Sequence, residues 1–175
     1  LSGSVMPAYG SGDIGRWLLV SRLQGSAYYA VDDEARMVLA GRMAVGSAAG
    51  GTVSEIPANW RFFSGGGGSV RGYEYRSIGP RDAGGRLIGG RSYFEASIEA
   101  RFRITETIGL VPFLDAGAAF ESSIPDFDQT LRFGAGLGLR YHTAIGPIRI
   151  DLATPLNRQR KEKPVALYIS LGQAF

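Results

Sequence analysis

Several residue types and sequence features are missing from this chain. It has no cysteine and one histidine, which excludes disulfides and leaves no transition-metal site of familiar composition. No stretch reaches the roughly 18 consecutive apolar residues that a membrane helix needs. No basic segment followed by an apolar one comes after Leu1, so the sequence predicts a mature or truncated piece without a secretion signal. A membrane barrel remains possible, because its strands place only alternate side chains in lipid.

The usual signs of an enzyme or a nucleic-acid-binding protein are also missing. The 19 basic and 16 acidic residues are scattered rather than clustered, which argues against a nucleic-acid footprint. Four glycines at 65–68 lack the following Lys-Ser/Thr pair of a nucleotide-binding loop, and no serine lies in a nucleophile elbow. Carboxylates such as Glu95 are more simply interpreted as paired charges inside a barrel. The sequence therefore predicts no catalytic activity, no cofactor and no metal.

The strongest positive signal is a two-residue alternation of apolar and polar side chains, clearest over 129–142. One set is apolar and comprises Leu131, Phe133, Ala135, Leu137, Leu139 and Tyr141. The other set is polar or glycine and comprises Thr130, Arg132, Gly134, Gly136, Gly138, Arg140 and His142. A strand separates two such sets onto opposite faces, and a helix cannot.

The same alternation predicts about seven strands in all, over 14–31, 35–47, 92–104, 108–120, 129–142, 147–153 and 164–175. The first ten residues fit either a disordered end or a remnant of one more strand. Single-chain bacterial barrels have even strand numbers, so seven visible strands imply a hidden strand or, as we prefer, a fragment of a larger barrel.

The polar face and the connections both favour a barrel in a membrane. The polar face carries glycine, serine and mixed charges rather than the many Lys and Glu side chains of a water-facing sheet, which suits a shared interior. Short connections at 32–34, 104–107 and 143–146 alternate with long ones at 51–89, 121–129 and 155–164. Outer-membrane barrels sort their loops in this way, with short turns inside and long loops outside. The last strand then ends on Phe175, which we expect in an inner aromatic girdle.

A set of short motifs resembles one family, the BamA/TamA outer-membrane insertase superfamily. The segments 61–66 (RFFSGG), 70–73 (VRGY) and 78–82 (IGPRD) resemble its conserved loop six. Matches in the same order follow at 113–117, 136–140, 145–149, 155–157 and 170–175. The spelling Arg61-Phe62-Phe63 and the tyrosine at 73 look more like the TamA branch, the translocation and assembly module.

The resemblance implies an architecture and a function. Family members have a 16-stranded antiparallel transmembrane barrel preceded by POTRA domains. Residues 1–175 would form the C-terminal half of such a barrel, with 51–89 as a long external loop that folds inward and the POTRA domains absent. The implied function is assembly of outer-membrane proteins and autotransporters in the bacterial outer membrane, by strand addition at a weakly paired seam. The implied partners are unfolded client proteins, outer-membrane lipids with lipopolysaccharide, and a TamB-type protein.

The resemblance also implies site residues. The family's loop-six arginine pairs with acids of the barrel wall, so Arg71 is predicted to pair with Glu99 and Asp115, flanked by the loop-motif residues Val70, Gly72 and Tyr73. Barrel substrates of assembly machines end in an aromatic residue on an alternating strand. Tyr168, Gly172 and Phe175 are accordingly predicted to form a C-terminal assembly signal.

Other functions remain open at this point. A BamA-type general insertase and a two-partner secretion translocator share the loop-six motif. A passive porin has no need of that motif, and an outer-membrane lipase would need a nucleophile arrangement that the sequence does not show. The basic run over 158–163 is interpreted as a solvated loop or a contact with anionic lipopolysaccharide.

Overall fold

The computed structural model describes residues 1–9, 17–144, 146–159, 162–172 and 175. Eight strands follow one another: β1 Ser2–Tyr9, β2 Trp17–Ala30, β3 Met37–Ala49, β4 Ser92–Arg103, β5 Ile108–Phe120, β6 Arg132–Thr143, β7 Gly146–Pro155 and β8 Ala166–Leu171. Each strand pairs antiparallel with the next, in the sheet order β1 to β8. Among the described residues no helix is both long and apolar enough to cross a bilayer.

The antiparallel all-β fold predicted from the alternation is confirmed, and the eighth strand is found in the first residues. Ser2 to Tyr9 pair with Gln24 to Trp17 along the whole length of β1. Chain order and sheet order coincide, as in an up-and-down meander, so β1 and β8 are the two edges of the sheet. The predicted start of the second strand, at 14–16, lies outside the described residues.

Alternate side chains of each strand have opposite surroundings. On β6 and β7 the apolar set is exposed, with Leu137 at 48% and Leu152 at 53% of full accessibility. The polar set is buried, with Arg140 at 2% and Asp151 at 0%. We call the side that carries the buried charges the inner face and the side that carries the exposed apolar residues the outer face. The predicted orientation of the alternation is confirmed.

The inner face is covered by the long connection between β3 and β4, residues 50–91, which contains no extended strand or helix. Its apolar residues Ile56 and Phe62 pack in one core with Leu18 and Val20 of β2 and Ala119 of β5. A second buried cluster lies within the connection itself and comprises Val70, Tyr73 and Ile78. The sheet and this connection therefore share a single interior.

The short connections are turns built from side-chain and backbone hydrogen bonds. Between β2 and β3, Arg36 and Met37 donate their backbone N–H groups to the carboxylate of Asp32 at 2.8 and 2.7 Å. These hydrogen bonds hold the pKa of Asp32 below its usual range. The alternation of short and long connections predicted from the sequence is present.

The C-terminal end departs from the prediction. The strand expected over 164–175 ends at Leu171, and Gly172 has a φ of +95°, a left-handed conformation that breaks the extended backbone. The ring of Phe175 stacks on Tyr28 of β2, with ring centroids 6.4 Å apart, and lies 5.1 Å from the guanidinium of Arg101 on the inner face of β4. Phe175 thus contacts inner-face residues of β2 and β4, and its place in an inner aromatic girdle stays a prediction.

Candidate functional site: an arginine docked on the sheet wall

The centre of the inner face is occupied by one side chain of the long connection. Arg71 is 2% exposed, although an arginine is seldom buried without partners. Its Nε donates to Oδ2 of Asp115 at 2.7 Å and its Nη2 to Oδ1 of the same carboxylate at 2.8 Å, a bidentate pair. The backbone N–H of Arg71 also donates to Asp115 at 3.0 Å. Asp115 therefore fixes both the side chain and the backbone of Arg71.

The remaining guanidinium N–H groups of Arg71 have partners on two further strands, β4 and β7. Nη1 donates to Oε1 of Glu99 on β4 at 2.8 Å and to Oδ2 of Asp151 on β7 at 3.2 Å. Nη2 donates to Oγ of Ser97 on β4 at 3.2 Å. All five guanidinium donors are thus satisfied, which a buried arginine requires. One loop side chain bridges β4, β5 and β7.

A cation–π contact and the surrounding carboxylates stabilise the buried guanidinium of Arg71. The Cζ atom of Arg71 lies 3.4 Å from the ring centroid of Phe113 on β5, a cation–π contact. Burial by itself lowers the pKa of Arg71, but the hydrogen bond and charge of Asp115, with the charges of Glu99 and Asp151, raise it above its usual value.

Other arginines pair with two of these three carboxylates, Glu99 and Asp151. Arg140 on β6 donates through Nη1 to Oδ1 of Asp151 at 2.5 Å, and Arg101 donates through Nε to Oε2 of Glu99 at 2.9 Å. The Nε of Arg149 lies 3.2 Å from Oδ2 of Asp151. Each carboxylate is 0% exposed, so breaking one partner of this network would leave a buried charge uncompensated.

Glycines on the inner face of β6 make room for the docked loop. Gly134, Gly136 and Gly138 are cross-strand partners of Asp115, Phe113 and Val111 on β5. A Cβ atom at Gly134 would overlap the carbonyl oxygen of Arg71, and one at Gly138 would overlap the carboxylate of Asp151. The absence of a side chain at Gly134 allows the loop backbone to approach the sheet, and its absence at Gly138 leaves room for the ion pair of Arg140 and Asp151.

The loop motif next to Arg71 is tied to the last connection and the last strand. The hydroxyl of Tyr73 lies 2.7 Å from Oδ1 of Asn157 and 3.0 Å from the carbonyl oxygen of Phe133. Asn157 also accepts the backbone N–H of Phe133 at 2.9 Å and donates to the carbonyl of Leu131 at 2.6 Å. The connection after β7, the start of β6 and the loop motif therefore form one hydrogen-bonded unit.

Steric constraints explain why glycine is found at position 72 and valine at position 70. Its φ is +100°, a region that side-chain-bearing residues rarely adopt, and a Cβ there would lie 2.8 Å from the carbonyl carbon of Thr154 on β7. Val70, at 0% exposure, packs against Gly117 of β5, where a Cβ would lie 2.8 Å from its Cγ2 atom. Gly72 and Val70 thus have distinct steric reasons for their identities.

The structure brings together Arg71, Glu99 and Asp115, and it adds residues that the sequence reasoning did not assign to the site. These are Ser97, Phe113, Arg140 and Asp151. Asp151 could have been found, because its alternation with Ile150 and Leu152 places it on the inner face. Tyr168 and Gly172 lie at the last strand, but Tyr168 points to the loop motif, with its hydroxyl 2.7 Å from the carbonyl oxygen of Tyr73.

Among the described residues no cluster of three or more potential metal ligands is present. The arrangement that the structure does show is a loop held by ion pairs on one face of an antiparallel sheet. This combination defines a class of protein, the outer-membrane β-barrels with an inward-folded loop.

Comparison with known proteins narrows the class to a family. Residues 8–175 match the Omp85 superfamily domain, and the chain belongs to this superfamily. It is 33% identical over 145 residues to the outer membrane protein assembly factor BamA of Nitratidesulfovibrio vulgaris, covering 79% of this chain and 18% of that protein. It is 29% identical over 165 residues to BamA of Neisseria meningitidis, covering 75% of this chain and 21% of that protein.

A solved structure has the same fold. BamA from Haemophilus ducreyi lacking POTRA domains 1–3 superposes with a TM-score of 0.67 at 22% identity, covering 92% of this chain and 34% of that chain. The chain spans about a fifth of the length of the curated BamA relatives. Its fold and its family are those of bacterial outer-membrane β-barrel proteins.

Proposed function

We propose that this chain is the C-terminal barrel segment of an outer-membrane protein assembly factor, which inserts unfolded client proteins into the outer membrane and catalyses no reaction. The observation that carries the proposal is the docking of Arg71 on Asp115, Glu99 and Asp151 within an Omp85-superfamily sheet. Two relatives named as BamA assembly factors support it.

The proposed mechanism uses the unequal pairing of the strands. β8 pairs with β7 over six residues and is an edge of the sheet, whereas β2 and β3 pair over twelve. An edge strand presents unpaired backbone N–H and C=O groups to which an incoming strand can add. The docked loop holds β4, β5 and β7 together, so that separation of strands is confined to the β8 edge.

The test uses the full-length protein reconstituted into lipid vesicles, with an unfolded outer-membrane barrel as client. Arg71→Ala leaves three buried carboxylates without their common partner, so the rate of client insertion should fall about tenfold or more. The matched control is Arg86→Ala on the same loop, whose side chain is 85% exposed and pairs with Asp82. Equal insertion by wild type and Arg71→Ala would contradict the proposed role.

The more specific assignment to autotransporter biogenesis of the TamA type is a second candidate. It is supported by the spelling Arg61-Phe62-Phe63 and by Tyr73, and it would add a TamB-type partner. The named relatives are BamA proteins, which favours the general function. The number of POTRA domains in the complete protein, together with a comparison of autotransporter and porin clients in the vesicle assay, separates the two.

Contact with membrane lipids is part of the same proposal. Exposed apolar residues of the outer face, such as Leu137 and Ile169, would contact the acyl chains. The basic connection after β7 is a candidate for contact with the anionic groups of lipopolysaccharide. Its residues 160 and 161 lie outside the described residues.

A further inference from the structure

We propose that Tyr168 couples the docked loop to the last strand, so that β8 is held in place when Arg71 is docked and is released when it is not. This inference rests on the proposed function, in which β8 is the edge that receives client strands. It makes Tyr168 a positioning residue of the insertion reaction rather than only part of a terminal signal.

The first observation is a pair of hydrogen bonds made by one hydroxyl. Tyr168 Oη donates to the carbonyl oxygen of Tyr73 at 2.7 Å and accepts the backbone N–H of Gly72 at 3.0 Å. A phenol has one proton to donate and lone pairs to accept with, so both bonds form at once. One backbone group of each of the two residues that follow Arg71 is therefore satisfied by a side chain of the last strand.

The second observation is the packing of the Tyr168 ring against the same loop. A Cβ atom on Gly67 would lie 3.0 Å from Cδ1 of Tyr168, so the ring rests on the glycine backbone. The carbonyl oxygen of Gly67 accepts a hydrogen bond from Nη2 of Arg149 on β7 at 3.0 Å. The loop is thus contacted on this side by β7 and β8 together.

The third observation is that β8 has little else to hold it. Its side chains alternate, and the outer-face residues Leu167, Ile169 and Leu171 are all at least 60% exposed. Within the described residues, β7 is the one strand with which β8 pairs, over six positions. Losing the hydroxyl of Tyr168 therefore removes a large share of the polar contacts that β8 makes outside its own ladder.

These contacts make the coupling reciprocal. If docking of Arg71 lowers the opening of β8, then holding β8 closed must favour docking of Arg71 by the same factor. Ion pairs anchor the loop to β4, β5 and β7. The hydroxyl of Tyr168 in turn anchors β8 to the loop. Undocking of the loop and release of the edge are then one event.

The test is Tyr168→Phe in the full-length protein, which keeps the ring and removes only the hydroxyl. Amide hydrogen exchange of 166–171 and of 70–73 should become about tenfold faster, since two hydrogen bonds are lost. Exchange of 92–120, in β4 and β5, should be unchanged. The matched control is Tyr141→Phe on the outer face of β6, whose ring is 51% exposed and which should change neither segment.

A second variant separates coupling from a general loss of stability. In an Arg71→Ala background the loop is already released, so adding Tyr168→Phe should change exchange of 166–171 by less than about twofold. Full additivity of the two changes, uniform acceleration in all strands, or unchanged exchange of 166–171 in Tyr168→Phe would each overturn the coupling.

The exchange measurement is independent of client insertion, so the two proposals fail separately. Faster exchange of 166–171 without any client insertion by the wild-type protein would retain the coupling and remove the proposed function. Normal insertion by the wild-type protein with unchanged exchange in Tyr168→Phe would retain the proposed function and remove the coupling.

Discussion

The two faces of the same strands have opposite chemistry. On β6 and β7 the inner face buries Arg140 and Asp151, whereas the outer face exposes Leu137, Ile150 and Leu152. A water-soluble sheet places its apolar face inside and its charges in water. This inverted arrangement indicates that the outer face contacts lipid and that ion pairs with the docked loop stabilise the inner face.

The largest effect is expected at the inner face. Arg71→Ala removes the common partner of Asp115, Glu99 and Asp151 and should lower the free energy of unfolding by about 3–5 kcal/mol. Urea unfolding of the protein in lipid vesicles measures this change. Arg86→Ala, which affects an exposed pair, should cost at most about 1 kcal/mol. Similar losses for both variants would show that burial of the pair does not matter.

A smaller effect is expected when a charge is placed on the outer face. Leu137→Arg puts a cation among side chains that contact acyl chains and should cost about 2–4 kcal/mol if that position lies near the bilayer centre. The same unfolding measurement applies. As the control, Gln159→Arg lies in the connection after β7 and should change stability little. A harmless Leu137→Arg would contradict the assignment of this face to lipid.

The fit of the loop against the wall is tested by adding one methyl group. Gly134→Ala places a Cβ on top of the carbonyl oxygen of Arg71, and the resulting overpacking should cost about 1–3 kcal/mol. Gly41→Ala is the matched control on β3, because its Cβ would meet only the carbonyl oxygen of Ser97 at 4.0 Å. If Gly134→Ala and Gly41→Ala change the free energy of unfolding equally, strand propensity rather than loop docking explains the glycine at position 134.

The smallest effect is expected at the edge of the docking site. Tyr73→Phe removes a hydroxyl that lies between Asn157 and the carbonyl of Phe133, and it should cost about 1 kcal/mol. Tyr75→Phe, at 82% exposure, is the control and should be neutral. Thermal unfolding of both variants resolves the difference, and an equal effect would remove Tyr73 from the docking contacts.

The strands could be predicted because their signal is local. Alternation over 129–142 is a property of neighbouring residues, and it predicted the faces of Leu137 and Arg140 without any knowledge of partners. β1 was harder, because its sequence, Ser2–Tyr9, is short of large apolar residues and contains Pro7. It is a strand because of its ladder with β2, which is not a local property.

The site could be predicted only where a motif or the alternation indicated it. Arg71 came from the resemblance, and the inner-face positions of Glu99 and Asp115 followed from alternation. Alternation also placed Asp151 on the inner face, but its contact with Arg71 depends on the approach of β7 to a loop residue eighty positions away, which no local pattern encodes. The end of the last strand at Leu171 coincides with the left-handed conformation of Gly172, and a glycine in the sequence does not by itself predict that conformation.

The account depends on one physical claim, that Arg71 and the wall acids attract each other strongly because both are buried. A double-mutant cycle with Arg71→Ala and Asp115→Ala in the full-length protein measures this attraction directly. We expect a coupling free energy of about 2–3 kcal/mol, against at most about 0.5 kcal/mol for the same cycle on the exposed pair Arg86 and Asp82. A coupling for Arg71 and Asp115 no larger than that of the exposed pair would contradict the account.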